Sequence, residues 1–115
     1  MKVINPVLPG FNPDPSLVRV GDDYYIATST FEWFPGICIH HSKDLVNWEI
    51  LSYALTDETK FDIKGMDTAC GIWAPNLTYD NGTFYLIYTI VYTNRNRFKD
   101  THNFMVTASD PKGPW

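Results

Sequence analysis

Cysteine is scarce in this chain: Cys38 and Cys70 are the only two among 115 residues. Two cysteines this far apart lack the close spacing of a zinc site, and they are too few for a disulfide-built scaffold. Two reduced thiols in a protein of cytoplasmic localisation are the expectation. Charge is also thin, at 19% of residues, with 13 acids against 9 bases and a net charge of −4. A basic stripe is missing, which argues against a nucleic-acid partner. The densest basic cluster, Arg95, Arg97 and Lys99, reads as a solvated loop. No apolar run approaches the roughly 20 residues that cross a bilayer, so no membrane partner is expected. The segment Met1-Lys2-Val3-Ile4-Asn5-Pro6 lacks the apolar core of a secretory signal. Helical periodicity is missing too. Even Asp62 to Ala69 shows no apolar period of 3.6, and it reads as a connection.

Aromatic residues are abundant, with four Trp, seven Tyr and seven Phe. A disordered chain would be poor in rings and rich in charge, so this sequence folds or belongs to something that folds. Strand signals dominate. Leu17 to Val20, the turn Gly21-Asp22-Asp23, and Tyr24 to Ser29 predict a hairpin. Leu77 to Tyr79, Asp80-Asn81-Gly82, and Phe84 to Thr89 predict a second one. The two align without a gap at an offset of 60, with Pro15 on Pro75, Leu17 on Leu77 and Tyr25 on Tyr85. Ile37 to His41 and Phe104 to Ala108 follow as third strands, and Ile50 to Ala54 is a fourth. Ser42 to Trp48 matches Ser109 to Trp115, which leaves extra residues in the second unit around Asn94 to Asp100. Repeats of about 60 residues with short strands have the form of propeller blades. Blade 1 is placed at about residues 14–60 and blade 2 at about 70–115, the second incomplete. Two blades cannot close a ring, so the expectation is an all-β β-propeller of which this chain holds roughly the first two blades. A two-sheet sandwich is the alternative architecture.

Asp14 stands between Pro13 and Pro15, just before the first strand. The flanking prolines predict an extended, rigid backbone at the mouth of that strand. A rigidly held carboxylate suits catalysis, whereas the competing reading is a turn aspartate that accepts a backbone N–H. The matching position in the second unit is Ala74, beside Trp73. Innermost propeller strands converge on one cavity, so Asp14 and Trp73 are expected to face the same pocket. A carboxylate beside an aromatic platform suits sugar handling.

These segments also carry a resemblance. Asn-Pro-Val-Leu-Pro-Gly-Phe-Asn-Pro-Asp-Pro-Ser (5–16), Asp-Tyr-Tyr-Ile-Ala-Thr-Ser-Thr-Phe-Glu-Trp-Phe-Pro-Gly (23–36), Ser-Lys-Asp-Leu-Val-Asn-Trp (42–48) and Gly-Ile-Trp-Ala-Pro (71–75) closely resemble family 43 glycoside hydrolases. The β-xylosidase branch is nearest, and the likeness spans the chain. It implies a five-bladed propeller, inversion at the anomeric carbon and three catalytic carboxylates. By that resemblance Asp14 is the general base, and Phe31, Trp73 and Ala74 shape the substrate site. The general acid, roughly 6.5–9.5 Å from the base in an inverting enzyme, and a pKa-tuning aspartate are expected beyond Trp115. Asp22, Asp23, Asp80 and Asp110 read as turn residues, and Glu32 does not match a family acid.

The implied activity is an exo-β-1,4-xylosidase acting on xylo-oligosaccharides, with α-L-arabinofuranosidase side activity. This fragment alone is expected to be inactive. An arabinan-directed hydrolase and a non-catalytic glycan-binding or structural propeller fragment are the alternatives. No cofactor is required. Some family members hold Ca2+ in the central channel, but no ligands for it are identifiable in this sequence. The full-length protein is expected to be a homo-oligomer. His40 and His41 adjoin on a strand and point to opposite faces, so they cannot chelate one metal. Asn76-Leu77-Thr78 and Asn81-Gly82-Thr83 match the glycosylation pattern but read as a strand start and a hairpin turn. Trp48 and Trp115 recur at matching places and read as packing between blades.

Overall fold

The computed structural model describes residues 3–58, 61–97 and 100–115, so Lys99 of the basic cluster lies outside the described residues. Among the described residues all seven elements are strands. β1 (Ser16–Val20), β2 (Asp23–Thr28), β3 (Gly36–Ser42) and β4 (Glu49–Leu55) form one sheet, and β5 (Gly71–Asp80), β6 (Thr83–Thr93) and β7 (Asp100–Ala108) form a second. In each sheet the strands lie side by side in chain order, all antiparallel. Such meanders are how propeller blades are built, whereas sandwiches use Greek-key connections.

The offset of 60 is reproduced by the ladders. Leu17 pairs with Ile26 and Leu77 with Leu86, and the hairpins close at Val20–Asp23 and Asp80–Thr83. Turn chemistry explains both. Gly21 has φ 60° at the first loop position, as a type II′ turn requires, while Asn81 and Gly82 both have positive φ, as type I′ requires. Asp23 and Asp80 are therefore strand residues at the hairpin mouths rather than turn residues.

Three strands, β5, β6 and β7, run well beyond their sequence signals, with β6 continuing past Thr89 to Thr93. β5 begins at Gly71 instead of Leu77, because its register breaks between Trp73 and Asn76 and hides the alternation. β7 begins at Asp100 instead of Phe104, so part of the extra length of the second unit lengthens a hairpin. The ladders also place Ser42 opposite Tyr24 and Ala108 opposite Phe84. Ser42 thus matches Ala108 in space, one residue earlier than the sequence alignment to Ser109.

One core lies between the two sheets. It joins Ala27, Ile37, Ile39, Ala54 and Leu55 of the first sheet to Ile72, Leu77, Phe84, Leu86, Tyr88 and Ile90 of the second. On β6 the buried residues Phe84, Leu86, Tyr88 and Ile90 alternate, as a half-buried strand demands. The innermost strands β1 and β5 are neighbours, and Ser16 Oγ accepts the Leu77 amide at 2.9 Å. At the outer side Ser52 Oγ on β4 donates to Pro111 O at 2.7 Å.

The recurring tryptophans close turns, and Trp115 also packs against the core shared by the two sheets. Trp48 Nε1 donates to Leu45 O at 3.1 Å and Trp115 Nε1 to Pro111 O at 3.3 Å, so each indole closes its own turn. Trp115 also packs against Phe84 of its own sheet, with ring centroids 6.4 Å apart.

Candidate active site

The backbone at Asp14 corrects the expectation of an extended conformation. Its φ is 51°, in the left-handed region, and Ala74 at the matching place has φ 44°. A residue before proline avoids the right-handed helical region, and Asp tolerates the left-handed one better than most residues. Asp14 is exposed, and it immediately precedes the start of β1.

Ser29 holds this carboxylate. It follows β2 directly and is 1% exposed. Its amide donates to Pro13 O at 3.0 Å, and its hydroxyl donates to Asp14 Oδ2 at 2.7 Å. Ser29 Oγ in turn accepts the Ala74 amide at 2.8 Å. Asp14 and Ala74 are therefore two hydrogen bonds apart, with one hydroxyl between them. Asp14 precedes the innermost strand of the first sheet and Ala74 lies on that of the second, so the Ser29 hydroxyl ties the two matching positions together across the sheets.

The aromatic residues converge on the same seam. Phe31 forms a bridge with Ile72, in which Phe31 N donates to Ile72 O at 3.0 Å and Ile72 N to Phe31 O at 2.9 Å. This places the rings of Phe31 and Trp73 6.0 Å apart, edge to face at 71°. Edge-to-face rings at such a separation attract through their quadrupoles. Phe31 itself sits at φ 51°, which a bulky residue adopts only when its surroundings enforce it. Gly71 makes the approach possible: at φ 90° its missing Cβ leaves room for the Phe31 carbonyl.

A second layer fixes the platform. Trp73 Nε1 donates to Ala69 O at 2.8 Å, and Ala69 N donates to Glu32 Oε2 at 3.1 Å. Glu32 thus braces the turn that orients Trp73. Phe11 adds a further ring, 5.7 Å from Phe31 and 5.2 Å from Trp33. Phe31 and Trp73 are each partly exposed and Ala74 is exposed.

Sequence reasoning named Asp14, Phe31, Trp73 and Ala74, and the structure brings all four to one inter-blade seam. It missed Ser29, Phe11 and the bracing role of Glu32. Ser29 lies in a run of small residues, Ala27-Thr28-Ser29-Thr30, whose pattern carries no distance to Asp14. Away from this seam, His41 bonds Asp23 Oδ1 at 2.6 Å and Glu49 Oε1 at 3.1 Å, while His40 is buried, so the two imidazoles do face apart. Cys38 and Cys70 are buried free thiols. Burial raises the pKa of Cys38. Among the described residues no group of three or more His, Cys, Asp or Glu could hold a metal ion.

The sequence profile of glycosyl hydrolases family 43 matches residues 3–115. The chain belongs to this family. Its two sheets are blades of the family's five-bladed β-propeller. A xylosidase/arabinosidase of Humicola insolens is 56% identical over 99% of this chain and 21% of its own length. A β-xylosidase of Bacillus subtilis is 55% identical over 100% of this chain and 22% of its own. Among solved structures, a xylan β-1,4-xylosidase from Bacillus halodurans superposes with a TM-score of 0.96 at 60% identity, covering 99% of this chain and 22% of that one. The chain thus spans about a fifth of the length of these family 43 relatives.

Proposed function

We propose that the protein is an inverting exo-β-1,4-xylosidase that releases terminal xylose from xylo-oligosaccharides, with Asp14 as its general base. The observation that carries this reading is the Asp14–Ser29–Ala74 link. It fixes a carboxylate beside the Phe31–Trp73 platform, and both lie on the seam between two blades. A water molecule attacks the anomeric carbon while Asp14 takes its proton. The glycosidic C–O bond breaks, and the leaving oxygen takes a proton from a carboxylic acid on the other face of the sugar. That acid belongs to a part of the full-length protein outside this chain. Phe31 and Trp73 present apolar faces to the sugar C–H bonds, and Ala74 leaves space beside them.

The relative described as a xylosidase/arabinosidase supports side activity on α-L-arabinofuranosides. The test is turnover of an aryl β-xyloside by the full-length protein and its Asp14→Ala variant. Loss of the base is expected to lower kcat by about 10²–10⁴-fold. Turnover at the wild-type rate in that variant would remove Asp14 from the mechanism. Faster cleavage of β-1,3-linked than of β-1,4-linked xylobiose would overturn the linkage assignment.

A further inference from the structure

We infer that Ser29 is the positioning residue of the base: its hydroxyl, locked by the second blade, selects which oxygen of Asp14 accepts the proton. This rests on the reading of Asp14 given above. A serine hydroxyl has one proton and two acceptor lone pairs. The Ala74 amide can only donate, so at 2.8 Å it occupies a lone pair of Ser29 Oγ. The one hydroxyl proton is then committed to Asp14 Oδ2, at the 2.7 Å typical of a charge-assisted O–H···O bond. That bond draws charge from Oδ2 and leaves Oδ1 the more basic oxygen, the one that takes the proton from water. Ser29 is 1% exposed and its own amide is bound to Pro13 O, so the hydroxyl has little freedom to turn away.

The repeat supplies an internal comparison. Ser29 corresponds to Thr89, and the Ser29–Pro13 contact corresponds to the Thr89–Trp73 pair on the β5–β6 ladder. Where the carboxylate is replaced by Ala74, the hydroxyl goes elsewhere: Thr89 Oγ1 donates to Asn103 Oδ1 at 2.6 Å. A hydroxyl at this place is thus a feature of both blades, but only the first aims it at an acid. The left-handed backbone at Ala74 points the amide into the first blade, so the second blade orients the base without offering it a side chain.

The experiment uses the full-length protein with Ser29→Ala, Ser29→Thr and Ser29→Cys, each alone and with Asp14→Asn, on an aryl β-xyloside. Ser29→Ala is expected to lower kcat about 10-fold to 100-fold, the scale of a misplaced catalytic group. KM should stay within about twofold, because the hydroxyl acts on the base rather than on bound sugar. Ser29→Thr, which keeps the hydroxyl, should recover most of the rate. Cysteine covers the case in which the extra methyl prevents folding, and it should give an intermediate rate as a weaker donor. In the Asp14→Asn background Ser29→Ala should cost nothing further. Wild-type kcat in Ser29→Ala, with Asp14→Asn inactive, would refute the role of Ser29 and leave that of Asp14 intact. A multiplicative loss in the double variant, or kcat and KM degraded together, would make Ser29 merely structural and overturn the inference. Wild-type activity in Asp14→Asn would instead overturn the reading of Asp14 itself.

Discussion

Replacing Gly71 by alanine tests what holds the two aromatic side chains together. Gly71 opens β5 at φ 90°, fully inside the protein. A Cβ added there would meet the Phe31 carbonyl and lie 2.8 Å from Glu32 N. Two costs follow. A left-handed backbone costs an alanine about 1–2 kcal/mol. The overlap also forces Phe31 away, which weakens the two bridge hydrogen bonds of 3.0 and 2.9 Å. Each of those contributes about 1 kcal/mol. The sum is roughly 3–4 kcal/mol. Gly82 is the control, because it sits at φ 81° with nothing within 4 Å of an added Cβ. Gly82→Ala bears the backbone cost alone, about 1–2 kcal/mol. Denaturant unfolding of the full-length variants reads both, with KM on an aryl xyloside measured alongside. Gly71→Ala should lose about 2 kcal/mol more than Gly82→Ala and should raise KM, because the Phe31–Trp73 pair is displaced. Equal losses from the two substitutions, with KM unchanged, would refute the close approach as the support of the platform.

Two further outcomes are expected. The His41 pKa is raised, chiefly by its hydrogen bond to Asp23, while Asp23 is lowered by its bonds to Lys43 and His41. The imidazolium contribution is therefore full below the ordinary histidine value of 6.5 and fades as pH rises through the raised native value. The Asp23 contribution is present above 3.8 and fades as pH falls through its lowered native value. His41→Gln should thus depress the melting midpoint most between those two pH values and little in alkaline buffer. A deficit independent of pH would show that the ion pair is not its source. Trp73→Ala removes one ring of the edge-to-face pair. At about 0.5–1.5 kcal/mol for such a ring, KM for an aryl xyloside should rise roughly twofold to tenfold, and an unchanged KM would detach Trp73 from sugar binding.

The hairpins were legible because their signals are local. Gly21-Asp22 and Asn81-Gly82 carry the backbone that primed turns need, and the apolar alternation after each turn sets the register. The beginning of β5 was not legible, since Ala74-Pro75 interrupts the ladder and a proline argues against a strand interior. Asp14 was found but given the wrong backbone. Proline rules describe what a chain prefers in isolation, and here Ser29 holds a less favoured conformation through contacts 15 residues away. Phe31 and Trp73 were found as separate aromatic walls. Their pairing depends on the Phe31–Ile72 bridge, which no periodicity in either segment announces.

Asp14 and Ala74 share a left-handed backbone and a following proline, so the blade itself demands that geometry whatever side chain occupies it. The side chain is then the variable. The first blade places a carboxylate there, whereas the second places a methyl group and contributes only its amide N–H. This division means that neither blade alone orients the Asp14 carboxylate. Ser29 brings the hydroxyl, Ala74 fixes its direction, and the distance between them is set by the packing of β1 against β5. The same packing is held by Ser16 Oγ on the Leu77 amide and by Ile72, which is fully buried between the sheets. A loosening of that seam would therefore reach the carboxylate through a single hydroxyl, before either sheet lost its own ladder. The inter-blade contact thus sets the position of the Asp14 carboxylate as well as the packing of the two sheets.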